Sequence, residues 1–287
     1  MTPSELTYRQ RILAVQRFIQ EHLDEELSLE RLARVAHFSP FHFHRIFKAL
    51  VGEGVYEYVR RLRLQSAAYA LQSSHRSVIQ IALDAGYGTH EAFTRAFRQQ
   101  FGVSPTQFRN GQHPSTSKKE IDTMTVLANP PSVTIEQVPA RRVAFLRHLG
   151  PYKEVGPTFD RLLNWARSRG LMRSDTVVLS VSYDDPEITP PDKIRCDCCV
   201  TVDESFQPEG EIGVQTIEGG EYAVVHHRGP HAELHDVMRW LFGVWLPGSG
   251  REPRHAPLYS ICNDNPETTP PEQFRIDIYV PLEPRIR

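Results

Sequence analysis

At 287 residues, 40% apolar and 24% charged, the chain is too long for one ordinary core and average in composition for a soluble globular protein, so two domains are expected. No apolar run approaches the ~20 residues of a membrane span, and the opening MTPSELTYRQ has no basic region followed by an apolar stretch, so no membrane contact and a cytoplasmic location are expected. The net charge of −2 conceals a split: residues 1–111 carry 14 Lys and Arg against 10 Asp and Glu, and the remainder 19 against 25, a basic front joined to an acidic back.

In chain order, residues 8–23 place Ile12, Val15, Phe18, Ile19 and Leu23 at helical spacing. Ser28 is a candidate N-cap for the next helix, and Ser39-Pro40 starts another, because Ser caps and Pro is tolerated at the first helical position. A long helix from about Val55 to Leu71 follows. Helices over Val78 to Ala85 and Thr89 to Phe101 then repeat the earlier pair, and Ser104-Pro105 caps a short closing helix. The repetition is residue by residue. Leu32, Ala33, Ala36, Phe38, Phe43, Arg45, Phe47 and Gly52 recur as Ile81, Ala82, Ala85, Tyr87, Phe93, Arg95, Phe97 and Gly102, at an offset of 49 in front and 50 behind. Each copy reads as a helix-turn-helix: small Ala residues let one helix cross closely over a second, and a Phe-x-x-x-Phe pair fixes the second to the core with its other face free. Two such units in one chain point to the major groove of double-stranded DNA.

Residues 111–124 are polar and aperiodic and read as a linker between a domain at 1–110 and one at 125–287. Beyond them, β-branched runs such as Ser132-Val-Thr-Ile, Arg142-Val-Ala-Phe-Leu and Tyr222-Ala-Val-Val alternate with Gly and Pro punctuation, interrupted by helical stretches near 155–170 and 231–246. The expected fold class is an all-α double helix-turn-helix domain followed by an α+β domain with an antiparallel sheet. The second domain is itself duplicated: Ser182-Tyr-Asp-Asp-Pro-Glu-Ile-Thr-Pro-Pro returns as Cys262-Asn-Asp-Asn-Pro-Glu-Thr-Thr-Pro-Pro, and Ala144, His148, Gly150 and Pro151 return as Ala223, His227, Gly229 and Pro230. Two halves about a pseudo-twofold would build one sheet with a concave cleft at their junction.

Arg grips guanine bidentately, His donates to an acceptor and Glu accepts from cytosine. With Phe43, Ile46 and Phe47 inward, Phe41, His42, His44, Arg45 and Lys48 are expected toward the outside or flanks of the first reading helix; His90, Glu91, Thr94, Arg95 and Arg98 hold those places in the second. Arg45 and Arg95, placed equivalently in both repeats, are the leading base readers, with His44, His90 and Glu91 beside them. Phe41 either meets a thymine methyl or completes the core. Arg60, Arg61 and Arg63 are phosphate contacts or solvated charges. Cys196, Cys198, Cys199 and Cys262 have the wrong spacing for zinc and read as buried apolar residues, with Cys199 pointing away from its neighbours in a strand. No metal or cofactor is expected.

The doubled motif, the stretch Ile81-Ala-Leu-Asp-Ala-Gly-Tyr, and Phe93-Thr-Arg-Ala-Phe-Arg with Phe101-Gly-Val-Ser-Pro-Thr-Gln-Phe-Arg resemble the DNA-binding domain of the AraC/XylS family of transcription regulators over roughly residues 8–110. The resemblance implies two reading helices in successive major-groove segments on one face of DNA, and RNA polymerase as a further partner. The N-terminal position of the module is similar to the Rob-type arrangement.

Arg147-His-Leu-Gly-Pro-Tyr, Asp184-Asp-Pro, His227-Arg-Gly-Pro and Trp245-Leu-Pro are similar to the GyrI-like (SHS2-type) small-molecule-binding domain. That resemblance implies an aromatic cleft for an amphipathic effector, with Phe145, Tyr152, Trp165, Tyr183, Trp240, Trp245 and Tyr259 as candidates. It also implies a buried Glu on a late strand, and here that position falls on Ser260, which favours a neutral or hydrogen-bonding ligand over a cation. Two other readings of this half are a protein-interaction module and a small-molecule hydrolase using His148, His227, Tyr259 and Ser260. Against the latter, there is no Gly-x-Ser-x-Gly elbow and no Glu base at 260, so no catalytic residue is assigned.

Overall fold

A computed structural model describes residues 3–111, 127, 129–186, 188–264 and 269–285. The front half is α1 (Pro3–Glu21), α2 (Leu29–Val35), α3 (Pro40–Val51), α4 (Val55–Ser73), α5 (Val78–Asp84), α6 (His90–Phe101) and α7 (Pro105–Arg109). Side-chain caps set the boundaries: Ser28, Ser39, Ser77, Thr89 and Ser104 each accept a backbone N–H from the first turn of the helix they precede. The second helix of each unit, α3 and α6, ends on a glycine, Gly52 (φ 87°) and Gly102 (φ 76°), the left-handed closure that glycine adopts without strain. The first helix begins about five residues earlier than the apolar spacing predicts, because its opening turns bury only Tyr8 and carry little periodicity.

Of the predicted linker, residues 112–124 lie outside the described residues, as do 125 and 126 at the start of the expected second domain. The back half contains β1 (Ser132–Val138), β2 (Arg141–Leu149), α8 (Gly156–Ser168), β3 (Val178–Ser182), β4 (Arg195–Thr201), β5 (Gly213–Ile217), β6 (Gly220–Arg228), α9 (Leu234–Trp240), α10 (Leu246–Ser249), β7 (Leu258–Cys262) and β8 (Arg275–Pro281). All strand pairs are antiparallel, in the order β1-β6-β8-β7-β3-β4-β2-β5. Only Pro139 and Ala140 join β1 to β2, and only Glu218 and Gly219 join β5 to β6, yet each pair sits toward opposite edges of the sheet. Links that short require the sheet to curl until its edges meet.

Alternation then gives every strand two destinations. Val143, Leu179, Val181, Cys199, Tyr222, Val224 and Tyr259 fill the inside of the curl. Ala144, Leu146, Cys198 and Val200 meet α8, while Ala223, Val225, Ile276, Ile278 and Val280 meet α9. The pseudo-twofold passes between β3 and β7, where the equivalent residues Ser180 and Ser260 are register partners and hydrogen-bond at 2.8 Å.

The halves of the chain share a core. Side chains of α1 to α4 (Tyr8, Ile12, Phe43, Phe47, Val55) belong to one continuous buried cluster with Val237, Leu241, Phe242, Leu258 and Ile278 of the back domain. The second helix-turn-helix has its own core around Phe93, Phe97, Ile81 and Leu71.

Candidate nucleic-acid interface and effector domain

In α6, the second candidate reading helix, the apolar side faces the core and the polar side faces out. Phe93 and Phe97 are fully buried and pack edge-on or tilted among Tyr87, Phe101 and Phe108, while His90, Glu91, Arg95 and Arg98 are exposed. Thr94 is half-buried. Arg60, on the connecting helix α4, is exposed as well. Arg61 instead pairs with Glu53, which raises its pKa, and Arg63 donates to the carbonyls of Leu23 and Glu25 just beyond α1. These two arginines tie α4 to the first unit, at Glu53, and to the segment after α1.

The first candidate reading helix, α3, is placed differently. None of the twelve residues of α3 is exposed. The expectation that Phe41, His42, His44, Arg45 and Lys48 face outward is corrected: the back domain covers that face. Phe41 packs on the His255 ring at 5.1 Å, and Ser39 Oγ lies 3.1 Å from His255 Nδ1. His42 has no exposed surface, stacks on Phe242 at 5.5 Å and lies 3.2 Å from the Ala256 carbonyl. His44 Nδ1 is 3.0 Å from Asp185 Oδ2.

Arg45 has a side chain only 14% exposed. It lies 3.8 Å from Asp185, donates to the Asp184 carbonyl at 3.4 Å, and holds its guanidinium 5.7 Å from the centre of the Phe242 ring. The close approach needs a glycine: a Cβ on Gly243 would fall 2.7 Å from Ala49 Cβ of α3. Gly243 sits in a π-helical turn, Leu241–Trp245, which interrupts the run from α9 to α10; its counterpart α8 is regular.

The candidate ligand residues do not form one site. Phe145, Tyr183 and Tyr259 belong to the cluster inside the curl, where burial raises the pKa of both tyrosines. Trp165 packs on Phe206 beside α8, and Trp240 and Trp245 lie against the shared core. Only Tyr152 and Ser260 lie near the helix side of the seam. Tyr152 donates to the Asp184 carbonyl at 2.6 Å, with its pKa pushed up to about 12, chiefly by burial. Strand alternation is the cause, since Tyr259 and Ser260 are successive residues and must face opposite ways.

The sequence also does not single out a charged network inside the curl. Asp197, fully buried, accepts both arms of Arg147 at 2.8 and 2.9 Å, the Tyr183 hydroxyl at 2.8 Å and Gln215 Nε2 at 3.0 Å. Asp197 raises the Arg147 pKa. Its repeat equivalent, Asp277, takes His226 and Asn263. The signal was available in the repeat: Arg147 and Asp197 align with His226 and Asp277, an aspartate with a nitrogen-bearing partner in both copies.

Cys196, Cys198 and Cys199 are buried, and Cys198 and Cys199 enter different cores; Cys262 is exposed, a correction to the reading of all four as buried. Among the described residues, no group of three or more His, Cys, Asp or Glu is placed to hold a metal, and no helix is long and apolar enough to cross a membrane. The groups considered for hydrolysis are dispersed. His148 contacts Thr158 and the Pro151 carbonyl, while His227 lies 4.0 Å from Glu233.

Comparison with known proteins places each half. Residues 131–283 match the GyrI-like small molecule binding domain, and residues 32–111 match a helix-turn-helix domain. The chain is 43% identical over 103 residues to the uncharacterized HTH-type transcriptional regulator YbfP of Bacillus subtilis, covering 36% of this chain and 35% of that protein. It is 32% identical over 156 residues to the probable transcriptional regulator YgiV of Escherichia coli, covering 52% and 95%. With the right origin-binding protein of E. coli it shares 37% over 92 residues, 32% of each chain. The match thus spans about a third of the first and third relatives and nearly all of the second. The chain belongs to the GyrI-like small-molecule-binding family and carries, ahead of that domain, the helix-turn-helix domain of AraC-type transcriptional regulators.

Proposed function

We propose that the protein is a DNA-binding transcriptional regulator whose back domain binds a small effector, with double-stranded DNA, that effector and RNA polymerase as its partners. The observation that carries this reading is the exposed face of α6, where His90, Glu91 and Arg95 stand free of the core on a helix anchored by Phe93 and Phe97. Arg95 reads guanine, Glu91 and His90 read adjacent base edges, and Arg60 contacts phosphate. Phe41, His44 and Arg45 would read the neighbouring groove segment once α3 is free.

The effector seat we favour is the seam on the helix side of β3 and β7. Ser180 and Ser260 supply hydroxyls there, and Tyr152 closes one end, a lining that suits a neutral, hydrogen-bonding amphipathic molecule. Of the other candidates, Phe145, Tyr183 and Tyr259 lie on the opposite face of the sheet, Trp165 packs on Phe206, and Trp240 and Trp245 pack on the shared core, so none of them is placed in this seat.

Selection of bound duplexes from a randomised pool tests the DNA reading. The full chain is expected to enrich a defined sequence, and Arg95→Ala to lose about 1–3 kcal/mol of discrimination at one base position. Enrichment of no sequence would remove the reading. For the effector, a thermal-shift screen of the full chain with neutral aromatics and organic cations should give shifts that Ser260→Ala abolishes. Shifts indifferent to Ser260 would move the seat elsewhere.

A further inference from the structure

The duplicated motifs allow each copy to serve as a control for the other, and they differ at the places where the halves of the chain meet. His42 and His44 of α3 correspond to Ala92 and Thr94 of α6, so the second reading helix lacks both imidazoles. Asp185 corresponds to Asn265 in the second repeat of the back domain, so only the first loop carries the extra carboxylate. Helix α8 is regular, whereas its counterpart is opened by the π-helical turn at Leu241–Trp245, whose Gly243 admits Ala49 of α3. Each departure lies on one contact, and each makes that contact possible.

The contact has the chemistry of a nucleic-acid seat. The Asp185 carboxylate and the Asp184 carbonyl offer acceptors to His44 and Arg45, the donors that would otherwise meet base edges and phosphate, and the Phe242 ring offers its face to the guanidinium. Asp184 itself is held rigidly by the Arg195 guanidinium, at 2.9 and 2.8 Å, which fixes the loop that presents Asp185.

We propose that the Asp184-Asp185 loop and Phe242 form an intramolecular binding site for the DNA-reading face of α3, so that DNA and the back domain compete for the same residues. The proposal rests on the reading of α3 and α6 as base-reading helices. The docked chain engages DNA through α6 alone and covers one major-groove segment; undocking adds the second. The apparent affinity for a full site is reduced by the fraction of molecules in which α3 is free.

Hydroxyl-radical footprinting and affinity titration of the full chain on a selected duplex test this, with wild type, Asp185→Asn and Phe242→Leu compared, and thermal unfolding run on each. Wild type is expected to protect one groove segment, sensitive to Arg95→Ala and insensitive to Arg45→Ala. Both releasing variants should protect two segments, bind about tenfold more tightly, and become sensitive to Arg45→Ala. Phe242→Leu removes the ring without touching the carboxylate, so a folding defect in one variant leaves the other as the test. If wild type already protects two segments and Asp185→Asn changes neither footprint nor affinity, the competition is refuted. If no variant binds any duplex with sequence preference, the base-reading assignment itself falls, a separate result.

Discussion

His42 is held neutral inside the contact between the halves of the chain. Its pKa drops to about 3, first through burial and then through the facing Arg45, with His255 adding a smaller push and the carbonyls of Ala256 and Arg254 opposing them. An unfolded histidine takes up its proton near 6.5. The neutral form is therefore favoured by folding, its contribution is complete above about pH 6.5, and it is lost progressively as the pH falls toward 3. At ~1.4 kcal/mol per unit, acidification from 6.5 to 5 should cost about 2 kcal/mol, measured as denaturant midpoint against pH. In His42→Gln this step should vanish. A second residue-scale expectation concerns Asp197: Arg147→Ala leaves a fully buried carboxylate with only Tyr183 and Gln215, at a cost of about 2–3 kcal/mol in thermal unfolding. This network escaped the sequence reading, although the repeat carries a signal for it in Arg147 with Asp197 and His226 with Asp277 at equivalent positions. The docked state of His42 and His44 was not legible either, because an imidazole beside a core phenylalanine has the same spacing whether water or another domain covers it.

Among the elements, the helices were the most legible, since Ser28, Ser39, Thr89 and Ser104 cap where hydroxyl chemistry requires and the Phe pairs mark the buried stripe. The strands β1, β2 and β6 were legible from their β-branched runs, but the curl was not: it follows from two-residue links between strands that do not pair with each other, a fact of pairing rather than of composition. Strand alternation on the curled sheet separates the candidate ligand residues, sending Tyr259 inward and Ser260 outward. The π-helical turn was equally hidden, since Leu241-Phe-Gly-Val-Trp has no period of its own. It yields an element-scale prediction. Gly243→Ala must push α3 and the turn apart, costing about 1–3 kcal/mol in unfolding free energy while increasing protection of the second groove segment in footprints.

At the scale of the molecule, the two duplications have different outcomes. The helix-turn-helix pair diverges so that α6 keeps an open face and α3 a covered one, and the back domain diverges so that one half supplies the acidic loop and the other the aromatic turn that together hold α3. A small molecule bound near Tyr152, which shares the Asp184 carbonyl with Arg45, would act on DNA binding through that loop, because a ligand shifts only the equilibrium whose states it distinguishes.

The coupling between docking of α3 and engagement of DNA is the central claim, and an inter-domain distance tests it most directly. Spin labels at Tyr69→Cys on α4 and Leu149→Cys at the end of β2, both exposed positions, with the exposed Cys262 replaced by Ser, report the separation of the two halves by pulsed electron resonance. The expected result is a single short distance in the free chain that lengthens on a duplex carrying both groove segments, and lengthens without DNA in Asp185→Asn. A distance distribution unchanged by saturating DNA that is protected over both segments would contradict the account.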